Sequence, residues 1–524
     1  MLVQLIASSA VSMPVAQSVH CAGGGSCKLG PFAARPWSAR ASFEASTLNS
    51  TGWMHLTVES NAGVPDNVAA FAAGYIEGIM TREVIDLEWL NLNVHPSSAA
   101  LGFVKANNAW VRGQIKTETS QYWRSVSAVY AQFDGIVAGY RASGGMLSSL
   151  QLQLINMQVE LDDIEKAVQK QVRPDFLNMT GAQFDEYVFT HSHCSAMIKV
   201  TADLGELYAA HNTWFTYSDM GLRIWKVYHL PLSHANAATV SFPGYPGRIA
   251  GIDDFYVTSQ ELVVIETTNG IYNNSLYDRV TPEGTVPYWV RVTAANRLAT
   301  SGTAWHKTFY VHNSGTYNNQ WMVTDYKLYV PGEPLKPNTL WVSEQIPGFH
   351  VAADQTSVLQ RGHWPSYNVP FYDEIYARSG YPAVVEKMGP HASYQLARRA
   401  PIFRQYADGM VTDLASMRRF MRLNRWSREH PSTLFPSPDA AIAARGDLAS
   451  GPISKRPGGA YDAKIASHAM VKDGLSATAI AGPTADDQPC FSWTGEWATQ
   501  TSYPHYGHPT VFNFSWLEMR GVVA

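Results

Sequence analysis

The feature that most constrains the fold of this chain is a change of hydrophobic periodicity close to Cys194. Before it, apolar residues recur at intervals of three and four over residues 64–92, 122–140 and 147–172, which is the spacing of amphipathic helices. After it, short alternating runs are separated by Gly, Pro, Asn and Asp, as in strands joined by turns. A further helix is predicted over 408–426, and the Pro-, Ser- and Gly-rich residues 430–459 are predicted to lie at the surface. This order favours an α+β or layered α/β body over a doubly wound parallel sheet.

The composition excludes several classes of protein. With 524 residues, of which 46% are hydrophobic and 12% aromatic, the chain can bury a large core. The formal net charge is -4 and both signs are mixed along the chain, so no basic stripe is present to bind nucleic acid. In the body of the chain, no apolar run reaches the roughly 18 residues that a bilayer span requires. We therefore expect a soluble globular protein.

The first 18 residues are predicted to be a secretory signal peptide. They carry no charge, are mostly apolar and end in a small-x-small tripeptide, as a signal peptidase site does. No basic residue precedes the apolar run, so a frayed or wrongly assigned start is the alternative. Four N-x-S/T sequons agree with a secretory route, and their asparagines are Asn49, Asn178, Asn273 and Asn513.

Cysteine is scarce, and each of the four residues has its own interpretation. A framework of disulfides is excluded for a chain of this length. Cys21 and Cys27 are close enough in sequence to close a small loop. Cys490, between a proline and a phenylalanine, is expected to be a buried small apolar residue. That leaves Cys194 in the middle of the chain.

Three interpretations compete for Cys194. It could be a buried structural thiol, which is the commonest state of a free cysteine. It could bind zinc together with His191 and His193, although the alternation of a strand would separate the thiol from both imidazoles. It could also be a nucleophile. Since the chain contains no G-x-S-x-G, P-loop or H-E-x-x-H motif, Cys194 is the best single candidate for that role.

Strand pairing predicts which residues surround this cysteine. If the runs "CSAMIKVT" and "LYAAHNTW" form a hairpin, paired residue numbers sum to about 407. Val200 then lies opposite Leu207, and Cys194 lies at the same end of the sheet as His211 and Trp214. A break in the chain before Cys194 would create an α-amino group with a pKa near 7.7 to 8.0, which can act as a general base.

Several longer stretches resemble one known family. They include "GWMHLTVESN", "AAGYIEGIMT", "HCSAMIK", "HNTW", "YPGRIAGIDDFYVTSQELVVIETT", "AANRLA", "NSGTYNNQW", "SEQIPG", "ADQTS", "SYNVP", "AIAARGDL" and "YDAKIAS". In these stretches the chain resembles the phospholipase B-like, or lamina-ancestor, family of lysosomal N-terminal nucleophile hydrolases.

The resemblance implies a four-layer αββα sandwich. It further implies an autocatalytic break between His193 and Cys194, with Cys194 as the new N-terminal nucleophile. The chain would then consist of a signal peptide (1–18), an N-terminal chain (19–193) and a C-terminal chain (194–524). Both chains would share one domain. The acidic helix over 147–172 and the linker to Phe189 would form a pro-segment that plugs the cleft.

The resemblance also assigns roles to particular residues. The implied catalytic residues are Cys194, Asn368, Arg399 and His211, and the implied pocket residues are Trp214 and Thr268. Asn368 is the expected oxyanion donor, whose amide contributes about 3 to 4 kcal/mol in such sites. Arg399 would hold an anionic head group or orient the chain-terminal residue, although the adjacent Arg398 is an alternative position for that role.

The implied activity is hydrolysis of an acyl ester or amide bond in phospholipids or N-acyl lipids, during lipid catabolism in the lysosome or after secretion. No cofactor and no metal are expected. A lipid or N-acyl substrate, peripheral contact with a membrane and a homodimer are the expected partners. The alternative is a lysosomal glycoprotein that kept the fold for a structural or binding role, since a fold does not establish turnover.

Overall fold

The computed structural model describes residues 16–22, 25–191, 194–429, 432–450 and 453–521. Most of the predicted signal peptide lies outside these residues, and so does His193 on one side of the predicted break. Residues 16–18, the last three of the predicted signal, belong to the first strand.

The strands form two large sheets and one small one. In chain order they are β1 (Ala16–Cys21), β2 (Cys27–Pro31), β3 (Ala39–Glu44), β4 (Met54–Ser60), β5 (Ser195–Val200), β6 (Leu207–Asn212), β7 (Trp214–Thr216), β8 (Ile224–His229), β9 (Thr239–Gly244), β10 (Phe255–Thr258), β11 (Leu262–Thr268), β12 (Asn319–Asp325), β13 (Leu340–Ile346), β14 (Phe349–Asp354), β15 (His363–Ser366), β16 (Gly458–Ala460), β17 (Asp462–Ser467), β18 (Ala477–Ala481) and β19 (Leu517–Met519). The larger sheet has the order β14-β13-β12-β11-β10-β9-β8-β4-β3-β1-β2, and the smaller has β15-β5-β6-β17-β18-β19. The short strands β7 and β16 pair separately.

The helices are distributed over the whole chain. They are α1 (Leu48–Thr51), α2 (Asp66–Met80), α3 (Arg82–Leu92), α4 (Ser98–Thr117), α5 (Gln121–Ala142), α6 (Ser149–Met157), α7 (Leu161–Val168), α8 (Gly181–His191), α9 (Tyr288–Leu298), α10 (Gly302–Phe309), α11 (Thr356–Leu359), α12 (Asp373–Arg378), α13 (Tyr381–Met388), α14 (Ala400–Met410), α15 (Leu414–Met421), α16 (Trp426–Glu429) and α17 (His468–Lys472). Among the described residues, no helix is both long and apolar enough to cross a membrane.

Three apolar cores separate four layers, which confirms the predicted αββα sandwich. The first core lies between α2, α5, α6 and α9 and one face of the larger sheet. The second joins the other face of that sheet to the smaller sheet, for example through Ile265 and Ile198. The third lies between the smaller sheet and α14 and α15, as with Met197 and Phe403. Strand β4 pairs with β8 in parallel, so the strands before Cys194 and those after it form two blocks of the same sheet that meet at this pair.

The predicted hairpin is confirmed residue by residue. Ser195 pairs with Asn212 and Val200 pairs with Leu207, as the expected sum of 407 requires. The alternation of these two runs was sufficient to fix their register, because a slip of one residue would move every buried side chain to the opposite face.

Several helix predictions need correction. Residues 64–92 form two helices, because Thr81 leaves the helical conformation at φ -108° and ψ 10°. Residues 147–172 are likewise divided between α6, α7 and short 3₁₀ turns. The single helix predicted over 408–426 is wrong: α14 ends at Met410, and Asp413 caps α15 by accepting a hydrogen bond from the Ser416 amide at 2.7 Å.

The predicted surface segment is also partly wrong, since residues 438–447 and Ala449 are buried. Buried side chains donate hydrogen bonds to backbone carbonyl groups of this segment, since buried polar backbone groups need partners. The Asn424 Nδ2 group donates to the carbonyls of Pro438 and Ala443, each at 2.9 Å. Arg445 pairs with Asp447 at 2.7 Å. The remote partners of these donors could not be read from composition.

Two of the cysteine predictions can be compared directly with the structure. Cys21 and Cys27 form the expected disulfide. The prediction for Cys490 is wrong, because this residue is exposed. Its thiol lies 3.3 Å from the carbonyl oxygen of Phe512. Cys490 is therefore at the surface, next to the buried cluster that contains Phe491 and Phe512, and not inside it.

Helices α2 and α5 approach each other through glycines. A Cβ atom built on Gly139 would lie 1.9 Å from the carbonyl oxygen of Tyr75, and one on Gly74 would lie 1.9 Å from that of Gln132. Both distances are far below van der Waals contact, and the obstacle is backbone that cannot rotate away. The packing of these two helices therefore requires glycine at both positions.

Replacing Gly139 by alanine is expected to destabilise the protein by about 2 to 3 kcal/mol or to prevent folding, because overpacking forces the helices apart. The matched control is Gly113→Ala in the exposed part of α4, where nothing lies within 4 Å of the new Cβ. That change should stabilise the protein by up to about 1 kcal/mol through helix propensity. Urea unfolding of both variants checks the prediction, and equal midpoints would contradict it.

Candidate active site

Cys194 lies immediately before β5, at the end of the smaller sheet that faces the helices α8 and α14. Its side chain is 1% exposed, and its φ of 85° is in the left-handed region. A residue with a side chain is strained there, and such strain is commonly found at functional sites. The amide of the next residue, Ser195, donates to Asn212 Oδ1 at 2.9 Å, which anchors the start of the strand.

The thiol faces a buried carboxyl group. Cys194 Sγ lies 3.7 Å from Glu266 Oε1, to which it donates. Burial and the neighbouring Glu266 together raise the pKa of the Cys194 thiol well above its usual value, whereas a hydrogen bond from the Trp214 backbone opposes that shift. In the uncut chain the thiol is therefore protonated and poorly reactive.

Glu266 belongs to β11 of the larger sheet and is completely buried. Besides the thiol, Tyr317 Oη at 3.2 Å and Thr268 Oγ1 at 3.4 Å donate to its carboxyl group. Tyr317 Oη also lies 2.9 Å from Asp254 Oδ2. Burial first, and then the nearby Asp254, raise the pKa of Glu266 well above its usual value.

Arg399 connects the nucleophile to the loop that carries Asn368. Its guanidinium donates to the carbonyl of Cys194, to Ser195 Oγ at 2.9 Å, to the carbonyl of Tyr367 at 2.9 Å and to Asn368 Oδ1. The group lies 4.2 Å from the ring centroid of Trp214. Through these contacts Arg399 links Cys194 and Ser195 to Asn368, while both of its predicted roles stay predictions.

The structure also decides between the two adjacent arginines. Arg398 pairs with Asp185 at 2.6 Å and with Asp439 at 3.3 Å, on the wall of a neighbouring pocket. It makes no hydrogen bond to Cys194 or Ser195 among the described contacts. Arg399, rather than Arg398, is therefore the arginine that contacts Cys194, and its role in the site stays a prediction.

Asn368 is connected to Cys194 through Arg399, which hydrogen-bonds to both residues. Its φ is 69°, its Oδ1 accepts from Arg399, and its Nδ2 donates to the carbonyl of Thr268 at 2.7 Å. The following residues are held by Glu344, which accepts from the Phe371 amide at 2.8 Å. In the uncut chain, part of the donor capacity of Asn368 is thus used by the backbone of Thr268.

The two "HNTW" residues of the prediction have different environments. Trp214 Nε1 donates to Asn212 Oδ1 at 2.9 Å, so the indole is fixed against Arg399. The His211 side chain is fully buried, and neither ring nitrogen makes a hydrogen bond within the described part of the chain. Burial, and secondly Lys464, lower the pKa of His211 well below its usual value, so the imidazole is neutral.

The metal interpretation based on His191 and His193 does not agree with the geometry. His191 stacks on Tyr187 with ring centroids 3.9 Å apart and hydrogen-bonds to its carbonyl oxygen, while His193 lies outside the described residues. Cys194 instead lies with His211 and Glu266, whose ligand atoms are all within 4.8 Å of one another. These three are of types that zinc accepts, but the carboxyl group is already used by the thiol and two hydroxyl groups.

A buried charge network, which the sequence did not reveal, holds the "HNTW" turn. Asp462 accepts from the Thr213 amide at 2.8 Å, and Lys464 Nζ donates to Thr213 Oγ1 at 2.6 Å. Arg223 pairs with Asp462 and Asp253 in the same network, and all four charged groups are fully buried. Residues far from the turn therefore set the position of Trp214.

Two pockets meet at this site. The first, called the aromatic pocket, is lined by Phe184, Asp185, Val188, Phe189, Trp214, Tyr272, Tyr367, Asn368, Val369, Tyr381, His391, Ala392, Ala397, Arg398, Arg399 and Asp439. The second, called the polar pocket, is lined by Gln158, Val159, Asp162, Asp163, Lys166, Tyr187, Val188, Thr190, His191, Phe215, Thr268, Asn269, Gly270, Ile271, Tyr272, Tyr277, Tyr317 and Asn318. One pocket reaches Asn368 and Arg399, and the other reaches Thr268 and Tyr317.

Helix α8, just before Cys194 in the sequence, lines both pockets. Its Phe189 packs against Trp214. The helical part of the predicted pro-segment behaves differently, because Leu152, Ile155 and Ile164 are buried in the first core. Helices α6 and α7 are thus part of the first core, whereas α8 lies along the pockets. The pro-segment stays a prediction.

Sequence reasoning named a candidate nucleophile and five residues around it, and the structure brings all six together. It missed Glu266, Tyr317, Asp254 and Asn212. One available signal was the glutamate in the otherwise apolar run "LVVIETT", because a charge in a buried strand is rarely retained without a partner.

The four sequons differ in accessibility. Asn49, Asn178 and Asn513 are exposed. Asn273 is only partly exposed, and its Nδ2 donates to the carbonyl of Arg378 at 3.1 Å. The first three are therefore better placed for modification than Asn273.

Comparison with known proteins identifies the family of the chain. The family described as "Phospholipase B" matches residues 39–519. "Phospholipase B-like protein B" of Dictyostelium discoideum is 37% identical over 489 residues, covering 90% of this chain and 84% of the relative. "Phospholipase B" of Crotalus adamanteus is 36% identical, with coverages of 91% and 87%. "Phospholipase B-like 1" of Homo sapiens is 35% identical, with coverages of 92% and 87%. The chain thus belongs to the phospholipase B family.

Proposed function

We propose that this protein is a self-processing acyl hydrolase that cleaves an ester or amide bond of a lipid. Cleavage of the chain between His193 and Cys194 would create the working enzyme, with Cys194 as its N-terminal nucleophile. The thiol would attack the acyl carbon of the substrate, and water would release the acyl group.

The observation that carries this proposal is the convergence of side chains on Cys194. A strained residue at the start of an inner strand holds a thiol against Glu266, while Arg399 binds its carbonyl group. Such an arrangement is more than a structural thiol needs, because a buried cysteine packs as a small apolar residue without charged partners. The family membership supports the same conclusion.

Each residue has a role in the proposed turnover. The α-amine of Cys194 would take the thiol proton and return it to the leaving group. Asn368 would donate to the oxyanion, after α8 and the cut end of the chain have moved. Arg399 would hold Cys194 and Asn368 in fixed positions relative to each other, because it hydrogen-bonds to both.

The pockets support a lipid as the substrate. The aromatic pocket offers mostly aromatic and aliphatic walls to an acyl chain, and the polar pocket offers carboxyl, amide and hydroxyl groups to a head group. Phospholipids agree with the names of the relatives, and N-acyl lipids would satisfy the same two pockets.

The disulfide and the exposed sequons support a secretory route, so we propose a lysosomal or secreted location.

The proposal is tested by expressing the secreted wild-type, Cys194→Ala and Cys490→Ala proteins and incubating them at acidic pH. A denaturing gel should show two fragments for the wild type and for Cys490→Ala, and one full-length chain for Cys194→Ala. The larger fragment should begin at Cys194 on N-terminal sequencing. Lipid ester and N-acyl substrates are then assayed with the cut protein.

An uncut wild-type chain would remove the α-amine from the mechanism and contradict the proposal. A structural or binding role would then explain the buried thiol better. Cleavage in the Cys194→Ala protein would show that an external protease cuts the chain, which would also contradict self-processing.

A further inference from the structure

The self-cleavage step poses a chemical problem that turnover does not. In the uncut chain the nitrogen of Cys194 is part of a peptide bond, so no α-amine exists to accept the thiol proton. The thiol is nevertheless protonated at neutral pH, because its surroundings raise its pKa. Another group must take that proton.

Within the described residues, the group that accepts a hydrogen bond from the thiol is the Glu266 carboxyl group. Its Oε1 lies 3.7 Å from Sγ, at hydrogen-bond distance for sulfur. The other base within reach is the imidazole of His211, which is within 4.8 Å but makes no hydrogen bond to the thiol. Geometry is the first criterion for a general base, and Glu266 meets it.

We propose that Glu266 is the general base of the self-cleavage step, accepting the Cys194 thiol proton while the α-amine does not yet exist. This assignment rests on the proposed function. It gives Glu266 a role in maturation that is separate from the role of the α-amine in turnover.

The step balances without any further reactant. Glu266 Oε1 takes the S–H proton, and Sγ attacks the carbonyl carbon of His193. The C–N bond to Cys194 breaks, and the protonated Glu266 gives its proton to the departing nitrogen, which becomes the α-amine. A thioester then joins His193 to Sγ. Water hydrolyses that thioester, leaving a carboxyl group on His193 and a thiol on Cys194, while Glu266 is again ionised.

Burial favours the protonated form of Glu266, and three hydrogen bonds oppose that effect by favouring the ionised carboxylate. It receives hydrogen bonds from the thiol, from Tyr317 and from Thr268. Tyr317 has one hydroxyl proton and lies between Glu266 and Asp254. When that proton is donated to Glu266, the contact with Asp254 requires a proton on the Asp254 carboxyl group.

Burial is the first cause that raises the pKa of Asp254 to about 7, whereas hydrogen bonds from Tyr288, Tyr317 and Tyr256 oppose that shift. A neutral Asp254 would leave Glu266 as the single negative charge of the pair. That charge state would avoid the cost of burying two carboxylates side by side.

The test measures self-cleavage rates of the full chain, purified uncut and then followed on denaturing gels. Glu266→Gln is expected to slow cleavage about 100-fold or more, since a general base contributes 10²- to 10⁴-fold. Glu160→Gln is the matched control. Glu160 is also a buried glutamate, with its pKa raised to about 7 first by burial, and its partners are Tyr288 and Thr316 rather than the thiol. This control should be cut at the wild-type rate.

A pH profile of the wild-type protein gives a second measurement that needs no variant. The cleavage rate should rise with pH as Glu266 ionises, and the residual rate of Glu266→Gln should not follow that curve. The titratable groups that act on Glu266 are Asp254, Tyr317 and Cys194. His211 lies beside both Glu266 and the thiol, and Lys464 and Asp253 act on the thiol.

Three results would overturn the assignment of Glu266: wild-type-like cleavage of Glu266→Gln, equal slowing of Glu160→Gln, or a wild-type rate independent of pH between 4 and 8. Each is distinct from failure of the proposed function. If the proposed function fails, the wild-type chain stays uncut at every pH, and no cleavage rates exist to be compared.

Discussion

Replacing Arg399 by methionine is expected to abolish self-cleavage and to lower the free energy of unfolding by about 4 kcal/mol or more. The guanidinium binds four acceptors, which are the carbonyls of Cys194 and Tyr367, Ser195 Oγ and Asn368 Oδ1. Methionine fills a similar volume but donates no hydrogen bond. Each buried acceptor left unpaired costs about 1 to 3 kcal/mol.

The loss of cleavage follows from the same contacts. Arg399 is the group that ties the backbone of Cys194 to the loop of Asn368, and small misplacements of reacting groups cost about 100-fold in rate. Urea unfolding measures the loss of stability, and a denaturing gel measures the loss of cleavage. Arg399→Lys keeps the charge but lacks the planar fork of donors, so it should give an intermediate result in both assays.

The control for this variant is Arg404→Met on the same helix, α14. Arg404 is exposed and donates to the carbonyl of Gln395 at 2.7 Å, so its loss should change stability by less than about 1 kcal/mol. Efficient cleavage of Arg399→Met, or equal destabilisation by the two substitutions, would contradict the role assigned to Arg399.

The protein is expected to be more stable in mildly acidic solution than at pH 8, with the midpoint of thermal unfolding about 3 to 6 °C higher at pH 5.5. Several buried carboxyl groups have raised pKa values, with burial as the first cause in each: Glu160, Asp219, Asp254 and Glu344 to about 7, and Asp163 to about 6.

The sign of this dependence follows from where the protons bind. A carboxyl group whose pKa is raised in the folded state holds its proton more tightly there than in the unfolded chain. Stability therefore increases as the pH falls from about 7 towards 4. Asp462 has a lowered pKa, caused chiefly by Lys464 and Arg223 against the opposing effect of burial, and its contribution is lost only in stronger acid.

Buried histidines limit the gain at low pH. Burial lowers the pKa of His306 and His508 to about 3, and it lowers that of His211 well below its usual value. The unfolded chain binds protons at these positions below about pH 6.5 and the folded chain does not. The two effects together place the maximum of stability between about pH 5 and 6.

Calorimetry or intrinsic fluorescence across pH 4 to 8 measures this curve. Asp219→Asn is a suitable variant because the Asp219 carboxyl group is buried beside Glu88 and accepts a hydrogen bond from Gln158 at 2.9 Å. This substitution should raise the thermal unfolding midpoint at pH 8 relative to wild type. The difference between the midpoints at pH 5.5 and pH 8 should therefore become smaller. A midpoint that increases steadily from pH 5.5 to 8 would contradict the prediction. A maximum in acid agrees with the proposed lysosomal location.

The sequence predicted structural features well where the interacting residues are close in sequence, and poorly where they are far apart. The pairing of β5 with β6 was predictable because both strands lie within 20 residues and their alternation admits one register. Helix ends were less predictable: Thr81 and Asp413 interrupt runs that are apolar enough to continue as helices. The burial of residues 438–447 depends on Asn424 and Arg445, whose partners are not visible as a local pattern.

By itself, the sequence determined the strand register around Cys194, the candidate nucleophile and, through its motifs, the family. Only the tertiary structure decided that Glu266, 72 residues away, faces the thiol and that Arg399, 205 residues away, binds the Cys194 carbonyl. The physical reason is that periodicity specifies which side chains of a strand are buried. It does not specify which other sheet or helix covers them. A buried charge needs hydrogen-bonding or charged partners on the elements that pack against it. The packing of the four layers determines which elements those are.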